Sequence, residues 1–189
     1  MQSHSQPTHF RRSTQRGFTM AELMAVVAIV GILAAIATVS VKKYIASSKT
    51  SEAIHMMANI KDAEETYKGE TFTYLNVTPG LSATTDFYPN NPKPGQQKMN
   101  FAGAGAGQAN WQMLGVIADA PVTFVYACTA GAAGAAPTAT GSDITVANWP
   151  AASTKPWYVV KARADLDNDG VNTVFISSSF MGEIAAANE

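Results

Sequence analysis

An uninterrupted apolar segment near the N-terminus constrains this chain more than any other feature. From Leu23 to Val41 the sequence contains no charged side chain, and Glu22 is the acidic residue that borders the segment. A helix needs about 20 apolar residues to cross the hydrocarbon core of a bilayer. This segment is 19 residues long and is interrupted only by Gly31, Thr38 and Ser40. It therefore predicts a membrane-spanning helix.

A basic leader precedes the apolar segment. Residues 1–17 contain three arginines and no acidic residue. A secretory signal peptide is cut after its apolar region, whereas the candidate junction here, Gly17-Phe18, lies before that region. Positive charge holds a flank in the cytoplasm, and the three arginines outweigh Lys42 and Lys43 on the other side. We expect the leader to be cytoplasmic and the rest of the chain to lie outside.

The junction resembles the class III leader of type IV prepilins and the related pseudopilins. The matching residues are Gly17, Phe18 and Glu22, followed by the apolar segment. The resemblance implies that a prepilin peptidase cleaves after Gly17, that Phe18 becomes the N-methylated first residue, and that Glu22 acts in filament assembly. One departure is Val39, which stands where the family usually has a proline that accompanies local unwinding in the fibre. Any unwinding here would centre on Gly31.

The position of Glu22 also suits an assembly role on physical grounds. A carboxylate inside a membrane helix needs a partner or a function. Cleavage after Gly17 would create a positive α-amine on Phe18, about one helical turn from Glu22. Between staggered chains this amine could reach the Glu22 of a neighbour and set the register, because any slip leaves both charges buried and unpaired. The alternative is that Glu22 lies at the level of the lipid headgroups.

The helical pattern continues beyond the membrane segment. Between Lys42 and Lys68 there is no proline or glycine, and apolar residues recur at spacings of three and four. They are Ile45, Ala53, Met56, Met57, Ile60, Ala63 and Tyr67. We expect one helix from Phe18 to Lys68, ended by Gly69, whose second half packs against a folded domain.

The C-terminal part of the chain carries the signals of a β-sheet. Residues 122–128, 157–163 and 172–177 are rich in β-branched and aromatic side chains, and residues 183–186 form a candidate fourth strand. They predict an α+β fold in which a small antiparallel sheet packs on the long N-terminal helix, and the resemblance implies the same pilin-like fold. Residues 129–156, rich in alanine, glycine, threonine and proline, are expected to form a mostly exposed loop.

These patterns divide the chain into four parts. Residues 1–17 are the cleaved leader, and 18–41 are the membrane and assembly half of the helix. Residues 42–69 are its amphipathic half, and 70–189 are a globular β-sheet head with loop insertions. The 172 residues left after cleavage suffice for the helix and one modest domain.

A cluster of acidic residues lies between the last two long strands. Asp165, Asp167 and Asp169 have the spacing of the first half of a calcium loop, with Gly170 at the sharp turn. The twelfth position of that loop is Ile176, where a calcium loop has a bidentate glutamate. Two interpretations remain: a calcium site, or a strand-connecting turn that favours aspartate, asparagine and glycine on backbone grounds alone.

The sequence contains no recognisable catalytic constellation, and we do not expect an enzyme. Cys128 has no identifiable activating base, and His55 has no metal-ligand neighbour at suitable spacing. Removal of the leader leaves 10 basic and 14 acidic residues, a net charge of −4. That balance does not indicate nucleic-acid binding, which requires basic patches.

Together with the resemblance, these features imply a structural subunit of a type IV pilus. It would enter the inner membrane as a single-pass precursor, be processed by a prepilin peptidase, and be polymerised with other copies by the inner-membrane assembly machinery into an extracellular fibre. Family fibres serve attachment, twitching motility and DNA uptake, among which the sequence does not choose. One alternative is a pseudopilin of a type II secretion system, which the calcium-like turn favours. The other is a membrane-anchored binding module that never polymerises, for which Glu22 would be dispensable and Gly17 uncut.

Overall fold

A long helix, α1, runs from Met20 to Thr71, and the remaining elements follow it in a loop-rich β region. The computed structural model describes residues 17–89, 97–166 and 168–188. After α1 come a 3₁₀ turn (Thr84–Asp86), α2 (Gln108–Leu114), β1 (Val125–Gly131), β2 (Trp157–Ala164), β3 (Thr173–Ser178) and β4 (Ala185–Ala187). The chain divides into two compact units, Met1–Tyr44 and Ile45–Glu189.

The first unit contains the apolar part of α1. The window Met20–Thr38 is long and apolar enough to cross a membrane, and none of it is buried within the protein. The hydroxyl groups of Thr38 and Ser40 donate to the carbonyl oxygens of Ala34 and Ile36, at 2.8 and 3.2 Å. Because these polar groups bond within the helix, they do not need water, which suits an apolar environment.

The second unit is built on a four-stranded antiparallel sheet in the order β1-β2-β3-β4. Cys128 pairs with Val160, and Ala162 pairs with Phe175, so the predicted antiparallel sheet and the α+β fold are confirmed. Successive side chains of a strand point to opposite faces. One face buries its side chains against the amphipathic stripe of α1. This core includes Ala53, Met56, Met57 and Ile60 of the helix with Tyr126, Cys128, Tyr158, Val160, Ala162 and Phe175 of the sheet.

The opposite face of the sheet is buried as well. Its members are Val125, Ala127, Trp157, Val159, Val174 and Ile176, packed with Leu81, Phe87 and Ile144. Ile144 and the partly buried Val146 and Trp149 belong to the segment predicted to be a mostly exposed loop, so that prediction is wrong for these three residues. This face of the sheet is apolar, so its burial from water is favourable. Ile144, Val146 and Trp149 bury it, although the other residues of their segment are mostly small.

The helix α1 ends later than the sequence predicted. Gly69 lies within the helix, which continues to Thr71, and Phe72 takes the left-handed backbone conformation (φ 62°) that a glycine usually takes at this place. The backbone N–H of Phe72 donates to the carbonyl oxygen of Lys68 at 2.8 Å. A glycine inside a helix costs only about 1 kcal/mol relative to alanine, which the hydrogen bonds of an additional turn can outweigh.

The short helix α2 contributes two side chains to the core of the second unit. Its side chains Trp111 and Leu114 are buried, and Gly115 ends it with a left-handed backbone (φ 74°). These two side chains belong to the core between α1 and the sheet.

A buried lysine joins the loops to the second face of the sheet. Lys161, in the middle of β2, is fully buried, and its Nζ donates to the carbonyl oxygen of Leu81 at 3.0 Å and to the carboxylate of Asp143. The guanidinium of the buried Arg163 lies 4.0 Å from the same carboxylate. Burial lowers the pKa of Lys161, and the nearby Asp143 opposes that shift. Asp143 is therefore the counter-ion of two buried cations.

Replacing the counter-ion should destabilise the second unit. In Asp143→Asn, the buried Lys161 and Arg163 lose their nearest carboxylate. We expect this to lower the free energy of unfolding by roughly 2–4 kcal/mol, less than for a fully buried pair, because Asp143 is partly exposed. Urea unfolding of residues 45–189, followed by tryptophan fluorescence, measures the change. The matched control is Asp119→Asn at an exposed position, and equal stability of the two variants would contradict the role given to Asp143.

Candidate functional site

The processing junction lies in exposed backbone ahead of the helix. Gly17 and Phe18 are exposed and non-helical, and α1 begins at Met20. The predicted scissile bond is therefore outside regular structure, where a peptidase can bind it in extended form. Residues 1–16 of the leader lie outside the described part of the chain.

Glu22 closes the first turn of α1 in a reciprocal capping arrangement. Its Oε2 accepts hydrogen bonds from the backbone N–H and the hydroxyl of Thr19, both at 2.8 Å, and the Glu22 N–H donates to the Thr19 hydroxyl oxygen at 3.2 Å. This is a capping box, which satisfies donors that a helix N-terminus otherwise leaves free. Thr19 was not among the residues predicted for this site, although the pattern Thr-x-x-Glu before an apolar run is a recognised signal for a capping box.

The first unit exposes apolar side chains on all sides of the helix. Residues that are more than half exposed include Phe18, Met20, Leu23, Met24, Val26, Val27, Ile29, Val30, Ile32, Leu33, Ile36 and Val41. A helix that is apolar all round is stable only when lipid or other protein surrounds it. This surface is a candidate interaction site of the described chain.

A buried carboxylate in the second unit escaped the sequence analysis. Glu64, on the stripe of α1 one turn after Ile60, is fully buried. Its Oε2 accepts the N–H of Leu75 at 2.9 Å, and its Oε1 accepts the thiol of Cys128 at 3.2 Å. Burial raises the pKa of Glu64 to about 7, against the opposing effect of these two hydrogen bonds. A glutamate in the register of the apolar stripe was the signal that could have revealed it.

Cys128 is a structural residue in this arrangement. It is fully buried, and burial together with the neighbouring Glu64 raises the pKa of its thiol well above the ordinary value. A neutral, inaccessible thiol is neither a nucleophile nor a metal ligand. His55 is exposed on α1.

The acidic turn between β2 and β3 bonds to its own backbone. The buried carboxylate of Asp165 accepts the N–H groups of Asn168 and Gly170, at 2.8 and 3.2 Å. Asp169 accepts the N–H of Val171 at 2.7 Å, and Asp167 lies outside the described residues. In the part of the chain that the structure describes, no three histidine, cysteine or acidic side chains converge as a metal site. These bonds favour the turn interpretation, while calcium binding stays a prediction.

Comparison with known proteins places this N-terminus in a defined class. Residues 12–38 match the prokaryotic N-terminal methylation motif, which confirms the resemblance drawn from Gly17, Phe18 and Glu22. The chain thus combines a methylation-type leader with a pilin-like α+β fold.

Curated relatives are fimbrial proteins. The chain is 39% identical over 77 residues to the fimbrial protein EcpC of Eikenella corrodens, covering 40% of this chain and 50% of the relative. It is 43% identical over 75 residues to a fimbrial protein of Neisseria meningitidis, covering 38% and 44%. It is 43% identical over 70 residues to the type IV major fimbrial protein FimA of Dichelobacter nodosus, covering 33% and 44%. The matched region thus spans half or less of the length of these relatives, and no solved structure matches the chain.

The buried Glu64 predicts an unusual dependence of stability on pH. The folded carboxyl has a pKa of about 7 and the unfolded one about 4.5, so the folded state binds the proton more tightly. The proton on Glu64 therefore stabilises the folded state, and this contribution is fully present below pH 4.5. It is lost as the pH rises through 7, which lowers the free energy of unfolding by about 3 kcal/mol.

Urea unfolding of residues 45–189 between pH 4.5 and 8.5 tests this contribution. Glu64→Gln cannot ionise, so its stability should change less with pH than that of the wild type, and Glu70→Gln, at an exposed position of the same helix, serves as control. Parallel pH profiles for the wild type and Glu64→Gln would contradict the assignment.

The two interpretations of the acidic turn differ in a direct measurement. A calcium site predicts saturable heat when calcium is titrated into residues 45–189, and it predicts that Asp169→Asn weakens the binding. A turn held by its own hydrogen bonds predicts no heat. Absence of heat up to millimolar calcium would remove the calcium prediction.

Proposed function

We propose that this chain is the structural subunit of a type IV pilus, which polymerises through the apolar part of α1 after its leader is cleaved. The observation that carries the proposal is the exposed apolar surface of Met20–Thr38 directly after a methylation-type leader. Removing apolar surface from water is favourable by about 25 cal/mol per Å². A helix of this kind therefore leaves lipid only if it enters another apolar environment. Other copies of the same helix provide one.

Processing is supported by the structure around the junction. Gly17 and Phe18 are exposed and precede the helix, so cleavage does not require α1 to unfold. A prepilin peptidase would release the leader and N-methylate Phe18. The new α-amine would then lie near the helix N-terminus, where the backbone dipole disfavours a positive charge and an acidic partner is needed.

Glu22 supplies that acidic partner. In the described chain its carboxylate bonds to Thr19, so its charge is satisfied while the subunit is stored in the membrane. A carboxylate has about four acceptor positions, so Glu22 can retain a bond to Thr19 and still accept from the amine of a neighbouring chain. This charge-assisted bond would fix the stagger of the copies, because the surrounding apolar contacts have no directional preference.

Localisation and partners follow from the same steps. The precursor would span the inner membrane once with its leader in the cytoplasm, and the polymer would form an extracellular fibre built by the inner-membrane assembly machinery. The second unit, Ile45–Glu189, is compact by itself and would form the outer part of the fibre, where attachment, motility or DNA uptake take place. The names of the relatives, which are fimbrial proteins, favour this proposal over a secretion pseudopilin or a non-polymerising anchor.

Replacing Glu22 tests the proposal. In Glu22→Ala, leader cleavage and membrane insertion should persist, because neither depends on this carboxylate, while fibre yield should fall roughly tenfold or more since the positive amine is left buried and unpaired. The measurement is electron microscopy of sheared surface fibres in a fimbriate host that lacks its own subunit, with mass spectrometry of the mature N-terminus.

The matched control is Glu70→Ala, which removes an exposed glutamate from the other end of α1. Normal fibre yield from Glu22→Ala would contradict the assembly role. An N-terminus that still carries residues 1–17 in the wild type would contradict the proposed function itself, and would support the non-polymerising anchor.

A further inference from the structure

Glu64 is a fully buried carboxylate that no described cation neutralises. Lys61, one turn earlier on α1, donates to the hydroxyl oxygen of Ser177, and Lys68, one turn later, donates to the hydroxyl oxygen of Tyr74. In the part of the chain that the structure describes, neither these lysines nor any other cation forms an ion pair with Glu64. A buried charge without a counter-ion is costly, so the folded arrangement favours the neutral carboxyl.

The other ionisable groups around Glu64 also disfavour its charge. Burial raises the pKa of Glu64, and the like charge of Glu65, the next residue of α1, adds to this effect. Tyr74, which follows α1, Cys128 of β1 and Tyr158 of β2 are neutral groups, and burial, with a contribution from Glu64, raises the pKa of each. None of these groups can therefore supply a positive charge.

Glu64 joins a rigid element to an irregular one. Its Oε1 accepts the thiol of Cys128 in the middle of β1, at 3.2 Å, and its Oε2 accepts the N–H of Leu75 at 2.9 Å. Leu75 belongs to residues 73–76, which form neither helix nor strand and of which two are exposed and two are partly buried. This short segment buries much less than α1 or β1, whose side chains form the core.

The chain on both sides of residues 73–76 is fixed. The N–H of Phe72 donates to the carbonyl oxygen of Lys68 at the end of α1, at 2.8 Å. Thr78 is buried, and its N–H donates to the carbonyl oxygen of Cys128 at 2.8 Å, while its hydroxyl oxygen accepts the N–H of Cys128 at 3.1 Å. Residues 73–76 can therefore move away from the core while their two ends stay in place.

We propose that Glu64 is a proton-controlled latch, which holds residues 73–76 against the core while it is neutral and releases them when it is ionised. An ionised Glu64 needs water, and displacing a short irregular segment is the smallest movement that admits it. Opening also breaks the 2.7 Å bond from the hydroxyl of Tyr74 to Glu65, so the closed form stays the major one. The proton changes the population of the open form.

The latch responds to pH near neutrality. The closed carboxyl has a pKa of about 7, whereas an open one has the ordinary value of 4.5. By linkage, the open population should rise about tenfold between pH 6 and pH 8. The inference goes beyond the proposed function and does not depend on polymerisation, because every group involved belongs to one copy.

Amide hydrogen exchange of the full chain in detergent micelles, followed by NMR, tests the latch. The N–H of Leu75 bonds to Glu64 and reports opening, whereas the N–H of Cys128, inside β1, reports unfolding of the sheet. After correction for the intrinsic pH dependence of exchange, the protection factor of Leu75 should be lower than that of Cys128 and insensitive to low urea. It should fall about tenfold from pH 6 to pH 8.

Two variants show whether Glu64 causes the change. Glu64→Gln cannot ionise, so the protection factor of Leu75 should change by less than about twofold over the same range. Glu70→Gln, at an exposed position of the same helix, should behave like the wild type.

Two results from the wild type alone would overturn the inference, whether or not the variants fold. Equal protection of Leu75 and Cys128 would mean that residues 73–76 open only when the whole unit unfolds. A protection factor of Leu75 that is independent of pH would mean that Glu64 does not control the opening. Neither result bears on the proposed function, which fibre formation tests separately.

Discussion

The protein depends on one constraint, which is that the N-terminal part of α1 exposes an apolar surface that the described chain does not bury. Such a surface needs either lipid or other copies of the same helix, and the strength of apolar burial is similar in both. What distinguishes the two environments is the polar end of the helix, where Thr19 and Glu22 satisfy each other and a charged partner can still be added. In the proposed fibre, the apolar side chains would supply the driving force for association, and the polar end would supply the register.

The chain has one cysteine and therefore cannot form an internal disulfide. Buried ionisable groups hold the loops of the second unit instead. On one face of the sheet Glu64 binds the N–H of Leu75, and on the other Lys161 binds the carbonyl oxygen of Leu81. Both anchor the connection between α1 and β1 near its beginning. A buried charge tolerates little displacement of its partners, because leaving it unpaired costs more than a lost apolar contact.

Periodic features could be predicted from the sequence, and single contacts could not. The apolar run of α1, the stripe through Met56 and Ile60 and the long strands repeat a signal over many residues, so each was recognisable. Glu64 was missed because a charged residue inside an apolar stripe is ordinarily assigned to the solvent side. The cover provided by Ile144 was missed because its segment is dominated by small residues, and the end of α1 was misplaced because a glycine is only a weak stop.

The sequence by itself determined the methylation-type N-terminus, the membrane-length helix and the fold class, since these depend on composition and spacing along one chain. It also predicts the junction at Gly17 and Phe18. Only the tertiary structure decided that both faces of the sheet are buried and that Glu64 has a pKa near neutrality. The physical reason is that burial and pairing arise between residues far apart in the chain. Their identity is encoded locally, but their environment exists only after the chain has folded.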